Sequence, residues 1–120
     1  MRIIITENKL DRVISKWLSK NYSEMDIYDH DIQPWSLYVD KNGEVKFLYQ
    51  FKENELYVSK DIIKFLYDIF SFEKPIQPIC SNWFEKHTGL KVGKVLSWDF
   101  SDASDWGKVV RWETKKRLIN

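Results

Sequence analysis

The sequence has little of several residue types, and each shortage excludes a class of protein. Its single cysteine, Cys80, cannot form an intramolecular disulfide, which excludes a disulfide-stabilised secreted domain. One thiol and two distant histidines cannot complete a four-ligand structural zinc site. The four glycines match neither the P-loop spacing nor the dinucleotide-binding fingerprint. These absences favour a reducing, intracellular setting and predict no nucleotide cofactor.

Long hydrophobic runs and an excess of one charge are missing as well. No run of hydrophobic residues exceeds three, whereas a membrane span needs about 20 and a signal peptide about 7 to 15. The chain carries 19 Lys+Arg against 18 Asp+Glu, a net charge of +1, which argues against a general binder of polyanions. We therefore expect a cytoplasmic protein without a membrane partner.

Aromatic residues are abundant in the chain, with six Trp, six Tyr and seven Phe among 120 residues. A chain of this length buries about two-thirds of its surface on folding and needs no metal or disulfide to form a core. Because aromatic side chains are costly to expose, most should lie in that core and a minority could form a contact surface.

Apolar residues at helical spacing predict two main helices and one short helix. The first covers about 7–21, with Thr6 as its N-cap. The second covers about 60–72, begins at the N-cap Ser59, and is apolar on most sides, so we expect it to be central. Prolines end it, and a short helix at about 78–88 stops at Gly89.

Apolar residues at alternating positions predict strands at about 35–40, 44–51 and 55–58. Asn42 and Gly43 form a hairpin signal between the first two, so the three strands should be an antiparallel meander. Alternation returns in a predicted hairpin at about 90–113, with strands at 90–100 and 108–113. We interpret 23–34 as an acidic connecting loop and 114–120 as a basic tail. The sequence thus predicts a single α+β domain, 1–120, with a meander, a C-terminal hairpin and three helices.

The predicted C-terminal hairpin and tail combine aromatic and basic side chains. These are the candidate binding residues: Trp98, Trp106, Arg111, Trp112, Lys115, Lys116 and Arg117. Trp and Arg dominate protein interfaces, so a protein partner or self-association is the favoured interpretation. The same residues can stack bases and pair with phosphates, which makes a nucleic-acid-binding module the alternative.

Candidate catalytic and metal-binding groups are sparse. Cys80 and His87 lie two helical turns apart, too far for the imidazole to activate the thiol. The histidine at 30 lies between two aspartates and could hold a metal, and three aspartates, at 99, 102 and 105, could hold a divalent cation without matching the calcium-loop pattern. No nucleophile and base occur together, so we expect no enzyme activity, no cofactor and no small-molecule substrate, and keep a metal-dependent hydrolase as a remote alternative.

The segment from Ile3 to Leu10 contains "IITE" and a polar residue, followed by a short amphipathic helix. It resembles the N-terminal segment of small uncharacterised proteins of tailed bacteriophages. The resemblance implies a phage-encoded protein in the host-cell cytoplasm or the virion. It would serve as a virion or assembly component, or as an accessory factor that binds a host protein, and the resemblance assigns no catalytic residue.

Overall fold

The described residues form an α+β fold with a six-stranded mixed sheet, a two-stranded sheet and three helices. The computed structural model describes residues 3–4, 7–71, 75–100 and 114–118. The elements are β1 (Ile3–Ile4), α1 (Glu7–Tyr22), β2 (Asp26–His30), β3 (Trp35–Val39), β4 (Val45–Gln50), β5 (Glu55–Ser59), α2 (Lys60–Ile69), β6 (Phe70–Ser71), α3 (Gln77–Thr88), β7 (Lys94–Trp98) and β8 (Thr114–Lys116). The predicted fold class is confirmed.

The strand order in the main sheet is β7-β5-β4-β3-β2-β8. Strands β2 to β5 are consecutive antiparallel neighbours, so the meander has four strands rather than three. Strand β7 pairs in parallel with β5, and β8 pairs antiparallel with β2. Strands β1 and β6 form a separate two-stranded parallel sheet.

The hairpin predicted at Asn42 and Gly43 connects β3 and β4. Gly43 adopts φ 80°, a left-handed conformation in which a side chain would be strained. The Asp40 carboxylate accepts the backbone N–H groups of Asn42 and Glu44 at 2.9 and 3.0 Å, which fixes the turn. A bulge between Tyr38 and Val39 shifts the register by one residue.

The acidic segment predicted as a loop contains a strand. Asp26–His30 pairs with β3 on one side and with β8 on the other. The predicted basic tail supplies β8, so part of it belongs to the sheet. The loop assignment was wrong because β2 is stabilised by residues about 90 positions away, which local patterning does not show.

The predicted C-terminal hairpin is only partly described. Within 90–100, residues 94–98 form β7, which pairs in parallel with β5 across α2 and α3. A parallel neighbour needs a long crossover, which these helices supply. The predicted partner strand at 108–113 lies outside the described residues.

The helices pack on one face of the main sheet around an aromatic-rich core. Ser59 caps α2 through its side chain, and Gly89 ends α3 at φ 77°, as predicted; Thr6 lies outside the described residues. The second helix buries Ile62, Ile63 and Leu66 in this core. The third helix also contributes to it, with the buried residues Ile79, Cys80, Trp83 and Phe84.

The opposite face of the sheet forms a second apolar cluster. Its buried residues are Leu37, Val39, Val45 and Phe100, with Tyr28, Trp35, Leu48 and Tyr57 packed against them. The strand register places Tyr28, Leu37, Leu48 and Tyr57 in one row across four strands. Both faces are thus apolar, which explains much of the aromatic content. None of the described helices combines the length and the apolarity that crossing a bilayer requires.

Candidate functional site

The predicted binding residues that the structure describes lie at two opposite edges of the sheet. Trp98 ends β7 at one edge, and Lys115, Lys116 and Arg117 lie in or directly after β8 at the other. Neighbouring strands are about 4.8 Å apart, so the five intervals of the sheet separate the two groups by roughly 24 Å. Trp106, Arg111 and Trp112 lie outside the described residues. The described members therefore do not form one surface.

At the β7 edge, Trp98 is 48% exposed and makes an edge-on contact with Tyr57. A depression of about 460 Å³ lies beside it, lined by α2 and by Ser97 and Asp99. Lys60 and Lys64 face this depression, but so does Asp61. The mixed charges give it no clear preference for a ligand.

At the β8 edge, Arg117 is held by an ordered polar network. Its Nε donates to Asp29 Oδ2 at 3.0 Å and its Nη2 to Oδ1 at 2.6 Å, which is the paired geometry of a guanidinium on a carboxylate. The fully buried Ser36 hydroxyl donates to the same Oδ1 at 2.6 Å. Hydrogen bonds from Arg117 lower the pKa of Asp29, with Ser36 acting in the same direction. The network therefore fixes the orientation of the guanidinium.

A cleft of about 560 Å³ adjoins this network, and we call it the Arg117 cleft. It lies between β2, β3, the end of α3 and the segment after β8. Its apolar lining comes from Met25, Ile27, Leu90 and Leu118, and its polar lining from Tyr38, His87, Thr88 and Arg117 together with Ser23. An apolar cleft with a few convergent polar groups is the usual form of a binding site.

The described lining of the Arg117 cleft contains basic side chains and no acidic ones. Among the described residues that line it there is a guanidinium and an imidazole but no carboxylate, because Asp29 lies behind Arg117 and outside the lining. Burial raises the pKa of Tyr38 to about 12, so its hydroxyl keeps its proton at neutral pH. The His87 ring stacks on Trp83 with centroids 4.9 Å apart. The guanidinium of Arg117 and the hydroxyl of Tyr38 are thus the polar groups of the cleft that can donate to a ligand.

The histidine and aspartates considered for metal binding do not converge. Consecutive strand residues point to opposite faces, so the Asp29 carboxylate joins Arg117 on the helix side while the His30 ring lies against Trp35 on the other. His30 Nδ1 accepts the backbone N–H groups of Ile32 and Gln33, at 3.1 and 2.8 Å. In the described parts of the chain, no three potential ligands cluster to hold a metal. Of the aspartate triplet only Asp99 is described.

Cys80 is fully buried in the helical core, and burial raises the pKa of its thiol to about 12. The thiol is therefore protonated and shielded, as expected for a small apolar core residue. His87 lies on the other side of Trp83, in the lining of the Arg117 cleft.

Sequence reasoning identified Arg117 but missed the other members of its cleft. Tyr38 and Ile27 come from adjacent strands, and Thr88 and Leu90 flank the end of α3. The acidity of 23–34 beside a basic tail was the available signal, since Asp29 and Asp26 pair with Arg117 and Lys116 at 2.6 and 3.4 Å. Comparisons with protein-family models, curated proteins and solved structures find no match for this chain.

Proposed function

We propose that this protein is a non-enzymatic interaction protein that binds a protein partner at the Arg117 cleft. The observation that supports the proposal is the combination of an apolar floor, an oriented guanidinium and a lining without carboxylates. Arginine and apolar anchors of this kind provide most of the energy at protein interfaces.

The rim of the cleft extends the apolar surface outward. Leu118 lies in the lining and is nevertheless 88% exposed. A protein segment that enters the cleft would cover this side chain, whereas a small ligand on the floor would leave it in water. The exposed leucine therefore favours a protein partner.

The basic residues at this edge favour a protein over a nucleic acid. Arg117 is paired with Asp29 and Lys116 with Asp26, so the charges of both are partly compensated, which weakens their attraction to a phosphate backbone. Trp98, the described stacking residue, lies at the far edge. A nucleic-acid-binding module is therefore the weaker candidate and an outcome of the test.

Within this proposal, the N-terminal resemblance supports a phage-encoded protein, acting in the host cytoplasm or as a virion component. A particle component should self-associate, so light scattering over a range of concentrations would give a defined oligomer. An accessory factor would stay monomeric. Mass gained only with oligonucleotide at low salt would instead support nucleic-acid binding.

Selection of peptides from a random display library tests the cleft itself. Peptides that bind the wild-type protein should not bind the Leu118→Asp variant, because burying the aspartate charge against an apolar ligand costs free energy. Ile32→Asp is a matched control, since Ile32 is 85% exposed and does not line the cleft. Binding that survives Leu118→Asp, or a selection without binders, would contradict the proposal.

A further inference from the structure

We infer that the Arg117 cleft recognises the free carboxylate at the C-terminus of a peptide whose last residue is aliphatic. This inference rests on the proposed function and specifies the chemistry of the partner. It depends on three properties of the cleft, namely its donors, its single compensated cation and the position of its apolar floor.

The first property is the set of donors. Asp29 accepts from Nε and Nη2 of Arg117, the Ser36 hydroxyl also accepts from Nη2 at 3.4 Å, and the Tyr38 hydroxyl is hydrogen-bonded to the guanidinium. A guanidinium has five N–H donors, so these four contacts leave one for a second acceptor. The buried Tyr38 hydroxyl lines the cleft and accepts a hydrogen bond from the guanidinium, so its own O–H can donate to a ligand. A ligand oxygen at this point would meet donors from two directions.

The second property is the amount of charge. Arg117 is the cleft's permanently charged group among the described residues, and Asp29 already compensates part of its charge. Sites for phosphate groups usually combine several cations because the ligand carries nearly two negative charges. A single compensated arginine suits a monoanionic carboxylate better, and the flat guanidinium matches the planar carboxylate.

The third property is the distance between the polar and the apolar groups. The backbone N–H of Arg117 donates to the carbonyl of Ile27 at 2.7 Å, so the guanidinium and the apolar floor belong to directly paired residues. Met25 and Leu90 continue that floor. A terminal residue carries its carboxylate and its side chain on one carbon atom, so it can reach both groups at once.

The test is a titration of the isotope-labelled full chain, followed by amide NMR shifts. The probes are acetyl-Gly-Gly-Ala-Leu with a free carboxylate, the same peptide as an amide, and 4-methylpentanoate. We expect the free acid to shift the amides of Ile27, Tyr38 and Thr88 saturably, and the amide to bind at least about tenfold more weakly, since it lacks the charge-assisted hydrogen bonds.

Two variants assign the effect to residues. The Arg117→Gln variant should bind the free-acid peptide and its amide equally. The Tyr38→Phe variant keeps the ring packing and should bind only the free-acid peptide more weakly. Ile32→Ala is the matched control and should change nothing. If Arg117→Gln does not fold, Tyr38→Phe still decides the case, because equal binding of the free acid by wild type and Tyr38→Phe would overturn the assignment of donors.

The outcomes separate this inference from the proposed function. Equal binding of the free peptide and its amide in the cleft would overturn the carboxylate preference and leave a peptide-binding cleft. Binding of 4-methylpentanoate as strong as that of the peptide would overturn the peptide as the source of the carboxylate. No shift in the cleft, with library peptides that still bind there, would overturn the inference alone, whereas failure of both experiments would refute the proposed function as well.

Discussion

Replacing Asp29 with alanine should destabilise the fold and release its C-terminal strand. The Asp29 carboxylate accepts from Arg117 and from the fully buried Ser36 hydroxyl. Loss of Asp29 leaves the hydrogen of that hydroxyl without an acceptor, at a cost of about 1 kcal/mol. The ion pair adds at most about 1 kcal/mol, because its side chains are 41% and 39% exposed and solvent screens them.

The expected loss is therefore about 2 kcal/mol in the free energy of unfolding. Unfolding entropy of about 2.1 cal/mol/K per residue gives about 0.25 kcal/mol/K for this chain, so Tm should fall by about 8 °C. Urea denaturation at pH 7 measures the free energy, and hydrogen exchange should show faster exchange at the amide of Arg117, which bonds to Ile27.

A double variant isolates the contribution of the buried hydroxyl. Adding Ser36→Ala to Asp29→Ala should recover about 1 kcal/mol, because no unsatisfied hydroxyl is then left in the core. A loss below about 0.5 kcal/mol for Asp29→Ala, or no recovery in the double variant, would refute the argued role of the network.

The same network predicts how stability depends on pH. Hydrogen bonds from Arg117 lower the pKa of Asp29 from its usual value of 3.8. A carboxylate whose pKa is lower in the folded state contributes its full stabilisation when the pH is above its pKa in the unfolded chain. That contribution is lost as the pH falls through its pKa in the folded protein. The difference between wild type and Asp29→Ala should thus be largest near pH 7 and smaller at pH 3. A difference that grows on acidification would contradict the assignment.

Three further variants and one labelling experiment test the core and the end of α3. Gly89→Ala should cost about 1 kcal/mol in urea denaturation, since Gly89 has φ 77°, while Gly93→Ala, with only ordinary contacts at 3.7 Å and beyond, should be near neutral. Phe84→Ala should cost about 3 to 5 kcal/mol or prevent folding, because this buried ring packs against three others; a loss below about 1 kcal/mol would be inconsistent with that packing. Alkylation of Cys80 should proceed only as fast as the fold opens, because the thiol is buried with a pKa of about 12, and rapid labelling of the native protein would contradict its burial.

The parts of the fold that sequence predicted are those whose signal is local. The turn at Asn42 and Gly43, the alternation on both sides of it, the cap at Ser59 and the stop at Gly89 each depend on a few adjacent residues. Local signals cannot rank elements by burial, however. The second helix is predicted to be central because it is rich in apolar residues, yet its Phe65 and Tyr67 are exposed, and α3 also contributes buried residues to the core over the sheet.

The parts that sequence missed depend on pairing across long separations. Strand β2 looks like an acidic loop from its sequence, because the basic partners of Asp26 and Asp29 lie in β8 and directly after it. Strand β7 looked like half of a hairpin, yet a strand that follows two helices can return in parallel to the strand before them, which is how it pairs with β5. For β2 and β8, the signal of their pairing in the sequence is the opposite charge of the two distant segments.

The same reasoning explains why the candidate site was only partly predictable. Arg117 was singled out as a basic group in an aromatic and basic tail, which favoured an exposed, multiply charged surface. In the sheet its charge is compensated by Asp29, and its neighbours are the apolar side chains of Met25 and Ile27. An arginine whose charge is compensated and which lies beside an apolar floor discriminates between ligands by their geometry more than by their charge. The pairing that forms β8 therefore supports a narrower proposal for the protein partner expected from sequence, namely a segment with one carboxylate and an aliphatic side chain.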